Sequence, residues 1–155
     1  MIRFLVALAL LGTGLSAGGL SIASLGGAPL LLALPVDRYV PVHKFLVTRF
    51  DPFMPICLLT GLVTDLLLTF FGDAGDARGL FAGAAAACFA VMVVSLTKNV
   101  PINKWVEKLN PDELPADWDS VDPRERWRNW NVVRTGFAVL ALVLNVIAVA
   151  ILIGP

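Results

Sequence analysis

The chain has 155 residues, 57% of them hydrophobic and only 15% charged, with a mean hydropathy of +0.79. Soluble domains carry about 25% charged residues, so this composition cannot clothe a soluble globule and a lipid bilayer is the expected partner. Twelve basic and twelve acidic residues cancel, which removes the net field that attracts nucleic acid, and none is expected as a partner.

Residues 4–25 (FLVALALLGTGLSAGGLSIASL) carry no charge, and about 20 apolar residues cross a bilayer. The start is similar to a secretory signal, but the uncharged run passes Gly26, Gly27 and Pro29 and stops only near Pro35. That exceeds the roughly 7–15 residues of a signal core, so a retained span is expected. Gly14 and Gly18 form a small-xxx-small face, with Gly12 and Gly19 beside it. Such a face admits a neighbouring helix closely and is a candidate homo-oligomer contact.

Residues 35–51 (PVDRYVPVHKFLVTRFD) place Tyr39, Val42, Leu46 and Phe50 on one side at helical spacing. Arg38, Lys44 and Arg49 lie mostly elsewhere, the pattern of a short helix on the membrane surface, with His43 at the border of its apolar face. Asp51-Pro52 reads as a helix cap and first turn. The second span covers residues 52–71 and carries Asp65 well inside it. An aspartate near the bilayer centre costs roughly 2.5–3.5 kcal/mol on insertion scales. Asp65 must be protonated, paired or wet; a protonated carboxyl could bond to Thr64, Thr69 or Asn145. GDAGDARG then makes a turn, and residues 79–97 the third span. Cys57 and Cys88 sit in different apolar runs with no histidine nearby, and are expected as buried free thiols.

Residues 97–135 hold all four tryptophans and most of the charge. Pro101 cannot continue a helix without losing a backbone bond. A capped break at Asn99 is therefore expected, followed by a short helix from Pro101 to Leu109 with Asn103 in its first turn. Residues 110–121 read as a solvated loop. Asp122-Pro123-Arg124-Glu125 starts a further helix, which runs unbroken into the fourth span, residues 132–153, with Asn145 in its middle. Trp127, Asn131 and Arg134 then share one stripe, and Trp130 lies four residues before Arg134. An interfacial belt of tryptophans at headgroups and arginines on phosphates accounts for Arg124, Arg126 and Arg128. Arg134 lies one turn into the apolar run, where a charge faces the bundle interior or snorkels outward.

The expected fold is thus all-α: one integral membrane domain, residues 1–155, as a transmembrane four-helix bundle. It has an interfacial helix after the first span and a cytoplasmic helical extension before the fourth. The connectors 35–51 and 98–134 carry ten Lys and Arg residues, against Arg3 and Arg78 on the other side. That asymmetry assigns the connectors to the cytoplasm and both termini to the extracytoplasmic side. The expected setting is multi-pass, in a bacterial plasma membrane.

Four segments together resemble the anthrone oxygenase-like family of four-span membrane proteins, most of them uncharacterised. They are GTGLSAGGLSIASLGGAP, FDPFMP, TKNVPIN and WRNWNVVRT, in family order over nearly the whole chain. The resemblance implies a membrane bundle in which Asn99, Pro101, Asn103, Trp127, Asn131 and Arg134 line a shared polar pocket. It points to an oxidoreductase or oxygenase acting on a small aromatic or quinone-like ligand. Family members tend to carry histidine where this chain has Asn131, and an amide cannot act as a base near neutral pH. The candidate catalytic residues are therefore His43, Asp65 and Arg134, and the candidate substrate-binding residues Asn99, Asn103, Trp127, Trp130 and Asn131. The alternatives are a non-catalytic membrane scaffold or partner subunit, and a small transporter using Asp65. With a single histidine, metal sites built on two or three histidines are excluded within one chain. No nucleotide loop, nucleophile elbow or haem-attachment motif is present, and the sequence specifies no cofactor.

The charge asymmetry makes a direct prediction. Alkaline phosphatase fused after residue 153 is expected to be active, and fused at residue 112 inactive; the reverse pattern overturns the assigned orientation.

Overall fold

The computed structural model describes residues 2–153. Six helices follow in order: α1 (Ile2–Ala33), α2 (Val36–Phe50), α3 (Phe53–Phe71), α4 (Gly75–Glu107), α5 (Trp118–Val121) and α6 (Arg124–Ile153). No β-sheet forms among the described residues. Four helices are long and apolar enough to cross a membrane. They form an up-and-down bundle in which α1 packs on α3 and α6, and α4 packs on the same two. The protein is a membrane-spanning all-α fold, as its composition requires.

The middle of the bundle is built from small side chains. Ala84, Ala85, Ala87 and Ala141 cluster with Leu62 and Cys88, and Ala17 and Ala138 with Leu20 and Val91. In lipid, helices associate by close van der Waals contact rather than by expulsion of water, which favours such residues. The closest approach is between α1 and α3. A Cβ built on Gly12 would lie 2.5 Å from the Gly61 nitrogen and 2.8 Å from the Cys57 oxygen. Gly12, not the Gly14/Gly18 pair, therefore sets this contact: Gly18 has nothing within 4 Å of such a Cβ. Both cysteines are free and buried.

Helix length decides where a site can form. At about 1.5 Å per residue, α3 spans about 28 Å, close to the roughly 30 Å hydrocarbon core. The helices α1, α4 and α6 are each 30 residues or longer, so they overshoot by several turns. All three overshoot at the end that carries the long connectors. There α2 lies against the extension of α4 and fills the space above the start of α3.

The extensions are longer than the sequence pattern implies. The helix does not break at Asn99; α4 runs on through a single wide turn of π type, Ser95–Asn99. A matching π turn, Ala23–Gly27, carries α1 past residue 25 to Ala33. Each turn ends two residues before a proline, Pro101 and Pro29. A proline ring clashes with the carbonyl four residues back, and in both cases that carbonyl belongs to the π turn, Thr97 or Leu25. Widening the turn moves it aside, so the helix bends its register instead of stopping.

Two more expectations change in three dimensions. Within 110–121, Trp118 is buried at 8% exposure, stacked on Trp105 at 6.2 Å and edge-on to Tyr39 at 5.9 Å. The segment is pinned by that indole rather than fully solvated. Arg124 is not a headgroup arginine: it pairs with Asp122 at 2.6 Å and donates to the Leu34 carbonyl at 2.9 Å. Lys44 likewise donates to the Leu109 carbonyl at 2.9 Å. Each cation satisfies carbonyls left over where a long helix ends, the location where positive charge is favoured.

Gly12→Ala is expected to destabilise the bundle by about 1–3 kcal/mol through overpacking, whereas Gly18→Ala should stay within about 0.5 kcal/mol. Thermal unfolding in detergent, followed by circular dichroism, checks both; equal effects would refute the role given to Gly12.

Candidate functional site

A cavity of about 480 Å³ lies among α1, α2, α3, α4 and α6 at the overshooting end. It falls within the roughly 300–1,000 Å³ of small-molecule sites. Its walls are mainly apolar; the polar side chains on them are Ser16 from α1, His43 from α2, Asp51 at the junction of α2 and α3, Ser95 and Asn103 from α4, and Trp127 and Arg134 from α6.

Asn103 joins three of these elements. Its Oδ1 accepts from Trp127 Nε1 at 2.8 Å and lies 3.0 Å from His43 Nε2. An indole nitrogen only donates, so the amide oxygen must face it. That oxygen only accepts, so His43 Nε2 must carry the ring proton. The other ring nitrogen, Nδ1, therefore holds a lone pair, and it is buried with no hydrogen-bond partner among the described residues. Tyr39 and Trp127 both meet the imidazole edge-on with centroids at 5.3 Å, fixing its plane. His43 is 1% exposed and central to the buried face of α2, beside Tyr39 and Val40, rather than at its border. Burial lowers its pKa below the ordinary histidine value, partly offset by the Asn103 bond. Burial, reinforced by Asp122, also pushes the Tyr39 phenol above its usual range. The imidazole is thus neutral, oriented and of one tautomer.

Arg134 is the second polar element. Its Nε and Nη2 donate to Asn131 Oδ1 at 2.8 and 2.6 Å, and its Nη1 to Ser95 Oγ at 3.3 Å. All three acceptors are neutral. Among the described residues the only ion pair is Arg124–Asp122; the Asp51 carboxylate, which lines the same cavity, acts on the Arg134 guanidinium through space without a direct contact. Asn131 is in turn held by Ser24, to which its Nδ2 donates at 2.8 Å. Ser24 and Ser95 come from the two π turns, so both distorted turns serve to place one cation. The i, i+3 spacing of Asn131 and Arg134 was visible in sequence; their serine partners, more than 35 residues away, carried no signal.

The remaining candidates fall outside the cavity lining. Asn99 is buried and donates to the Trp127 carbonyl at 3.1 Å, tying α4 to α6. Trp130 stacks with Lys98 at 5.0 Å. Asn131 touches the cavity only through Arg134. Asp65 is fully buried deeper in the bundle, where Asn145 Nδ2 donates to its Oδ2 at 3.2 Å and lies 3.4 Å from Thr13 Oγ1. This cluster links α1, α3 and α6. Asp65 Oδ1 and Asn145 Oδ1 both lack partners.

The neutral His43 makes stability depend on pH. Unfolded chains protonate this histidine near pH 6.5, while the folded state resists protonation. The stability it confers is therefore complete above about pH 6.5 and declines as pH falls below it. Melting temperature should drop between about pH 6.5 and 5, and His43→Gln should flatten that slope; an unchanged slope in the variant would exclude His43 as its source.

A comparison with protein-family models places residues 45–144 on the anthrone oxygenase family. No curated protein and no solved structure matches the chain.

Proposed function

The chain belongs to the anthrone oxygenase family, and from that premise we propose that it is a membrane oxygenase acting on a small aromatic molecule with a weakly acidic C–H bond. The observation that carries the proposal is the tautomer of His43. A neutral imidazole with an unpartnered Nδ1 lone pair, locked by Asn103 in the wall of the same cavity as the Arg134 guanidinium, is a base paired with an anion acceptor. Asn131, which stands where relatives tend to have histidine, holds the guanidinium instead, and α2 supplies the base.

For anthrone as the model substrate, His43 Nδ1 takes a proton from the ring methylene. The electron pair moves onto the ring carbonyl oxygen, where Arg134 and its two supports stabilise the new negative charge. The electron-rich carbanion combines with molecular oxygen, forming a C–O bond and, after proton return from His43, a hydroperoxide. Loss of the second methylene proton and cleavage of the O–O bond leave a carbonyl and water. The sum is CH₂ plus O₂ giving C=O plus H₂O. The role of Trp127 is to pack a face or edge against the aromatic rings. Asp65 takes no part in this scheme; with Asn145 it fastens three helices.

Oxygen uptake by the purified protein in vesicles, with anthrone as substrate, tests the assignment. His43→Gln is expected to lower the rate about 10²–10⁴-fold and Arg134→Ala about 10²–10³-fold, both with normal insertion. Asp65→Asn should keep the rate, because its new amide donor can satisfy Asn145 Oδ1. Full activity in the His43 or Arg134 variant would remove the role given to that residue.

A further inference from the structure

The cavity is covered by aromatic side chains on the connector side and opens sideways through an apolar rim. On the connector side it is covered by Tyr39, Val40, Val106, Trp118 and Trp127, none more than 8% exposed. The aromatic contacts Tyr39–His43, Tyr39–Trp118 and His43–Trp127 are continuous across this cover. Arg124 clamps it, with its guanidinium 5.4 Å from the Tyr39 ring and bonded to the end of α1.

The opposite holds at the side. Ile22, Leu30, Leu59 and Leu96 line the cavity and are also 67, 47, 47 and 60% exposed. They come from three different helices, and Ile22, Leu59 and Leu96 lie within apolar runs that cross the bilayer. A polar solvent would not be met by such a rim, whereas acyl chains would. Gly26 in the first π turn also lines the cavity, and a Cβ placed on it meets nothing within 4 Å. The mouth thus has free space beside Gly26.

We infer that the cavity is loaded laterally from the bilayer, through the rim that α1, α3 and α4 form beside Gly26, and that its ligand is an uncharged, membrane-dissolved aromatic molecule rather than a water-borne one. The inference deepens the proposed function, on which it rests for the identity of the cavity as the substrate site. A molecule entering this way arrives apolar face first and meets the polar groups of Arg134, Asn103 and His43 deeper in, with the Asp51 carboxylate at the α2–α3 junction. It is desolvated before it reaches the base, so no water has to be expelled through the aromatic cover.

Binding can be followed without turnover. The probe is menadione, a lipid-soluble naphthoquinone that quenches tryptophan fluorescence, with its water-soluble sulfonate as comparison, and the full-length protein in phosphatidylcholine vesicles. Menadione is expected to give saturable quenching and the sulfonate none. Gly26→Phe and Leu96→Phe, which narrow the mouth from opposite sides without touching the polar groups, should each slow association at least tenfold. Ser120→Phe, on the water-facing side of the cover, should leave it unchanged. Equal slowing by Ser120→Phe, undiminished rates in both mouth variants, saturable quenching by the sulfonate, or no saturable quenching by menadione would each overturn lateral loading. Oxygen uptake with anthrone is a separate readout, so loss of the base assignment and loss of the lateral route are told apart.

Discussion

One amide oxygen holds the connector end together. Asn103 Oδ1 accepts from Trp127 on α6 and from His43 on α2 while its own backbone belongs to α4. In a low-dielectric setting an unpaired polar group is expensive, so three elements converge on this atom or each leaves a donor unmet. Because both partners need an acceptor, the arrangement has one solution for the amide and one for the imidazole. The chemistry attributed to His43 depends on that constraint: the same bond that fastens α2 leaves Nδ1 as the free nitrogen.

The two π turns are the backbone counterpart of this side-chain convergence. Each lets a helix that carries a proline continue beyond the hydrocarbon core, and each contributes one serine to the support of Arg134. Without the added length of α1 and α4 there would be no walls above the start of α3. Without the widened turns, Ser24 and Ser95 would have a different angular position on their helices. A distortion that costs helix regularity thus coincides with the place where polar groups are gathered.

The polar residues fall into two sets with different surroundings. Asp65, Asn145 and Thr13 lie in the tightly packed part of the bundle, where Gly12 and Gly61 draw α1 against α3. His43, Asn103 and Arg134 lie where the bundle flares and a cavity remains. Thr13, Asp65, Asn145 and His43 are buried and Asn103 and Arg134 half-buried, and both sets hold a polar atom without a partner, so burial alone does not separate a fastening from a candidate site. The space beside the group does.

The amino-acid sequence by itself determined the membrane class, the four spans and the helix after the first, and placed Asn131 and Arg134 on one helix face. Those follow from hydropathy, helical period and capping chemistry, which act within a few residues of each other along the chain. Tertiary structure alone decided the rest. It continued α4 past Pro101, because a clash with one carbonyl can be relieved by widening a turn, and propensity gives no sign of that choice. It buried Trp118 and drew Arg124 from the headgroups to the end of α1, since carbonyls left at a helix terminus are partners that only folding brings near. It moved His43 from the edge of a face to its centre and kept Asp65 away from the cavity. Linear spacing records which residues share a helix face; which face meets a neighbour, and whether room remains between them, is set only when helices of unequal length pack together.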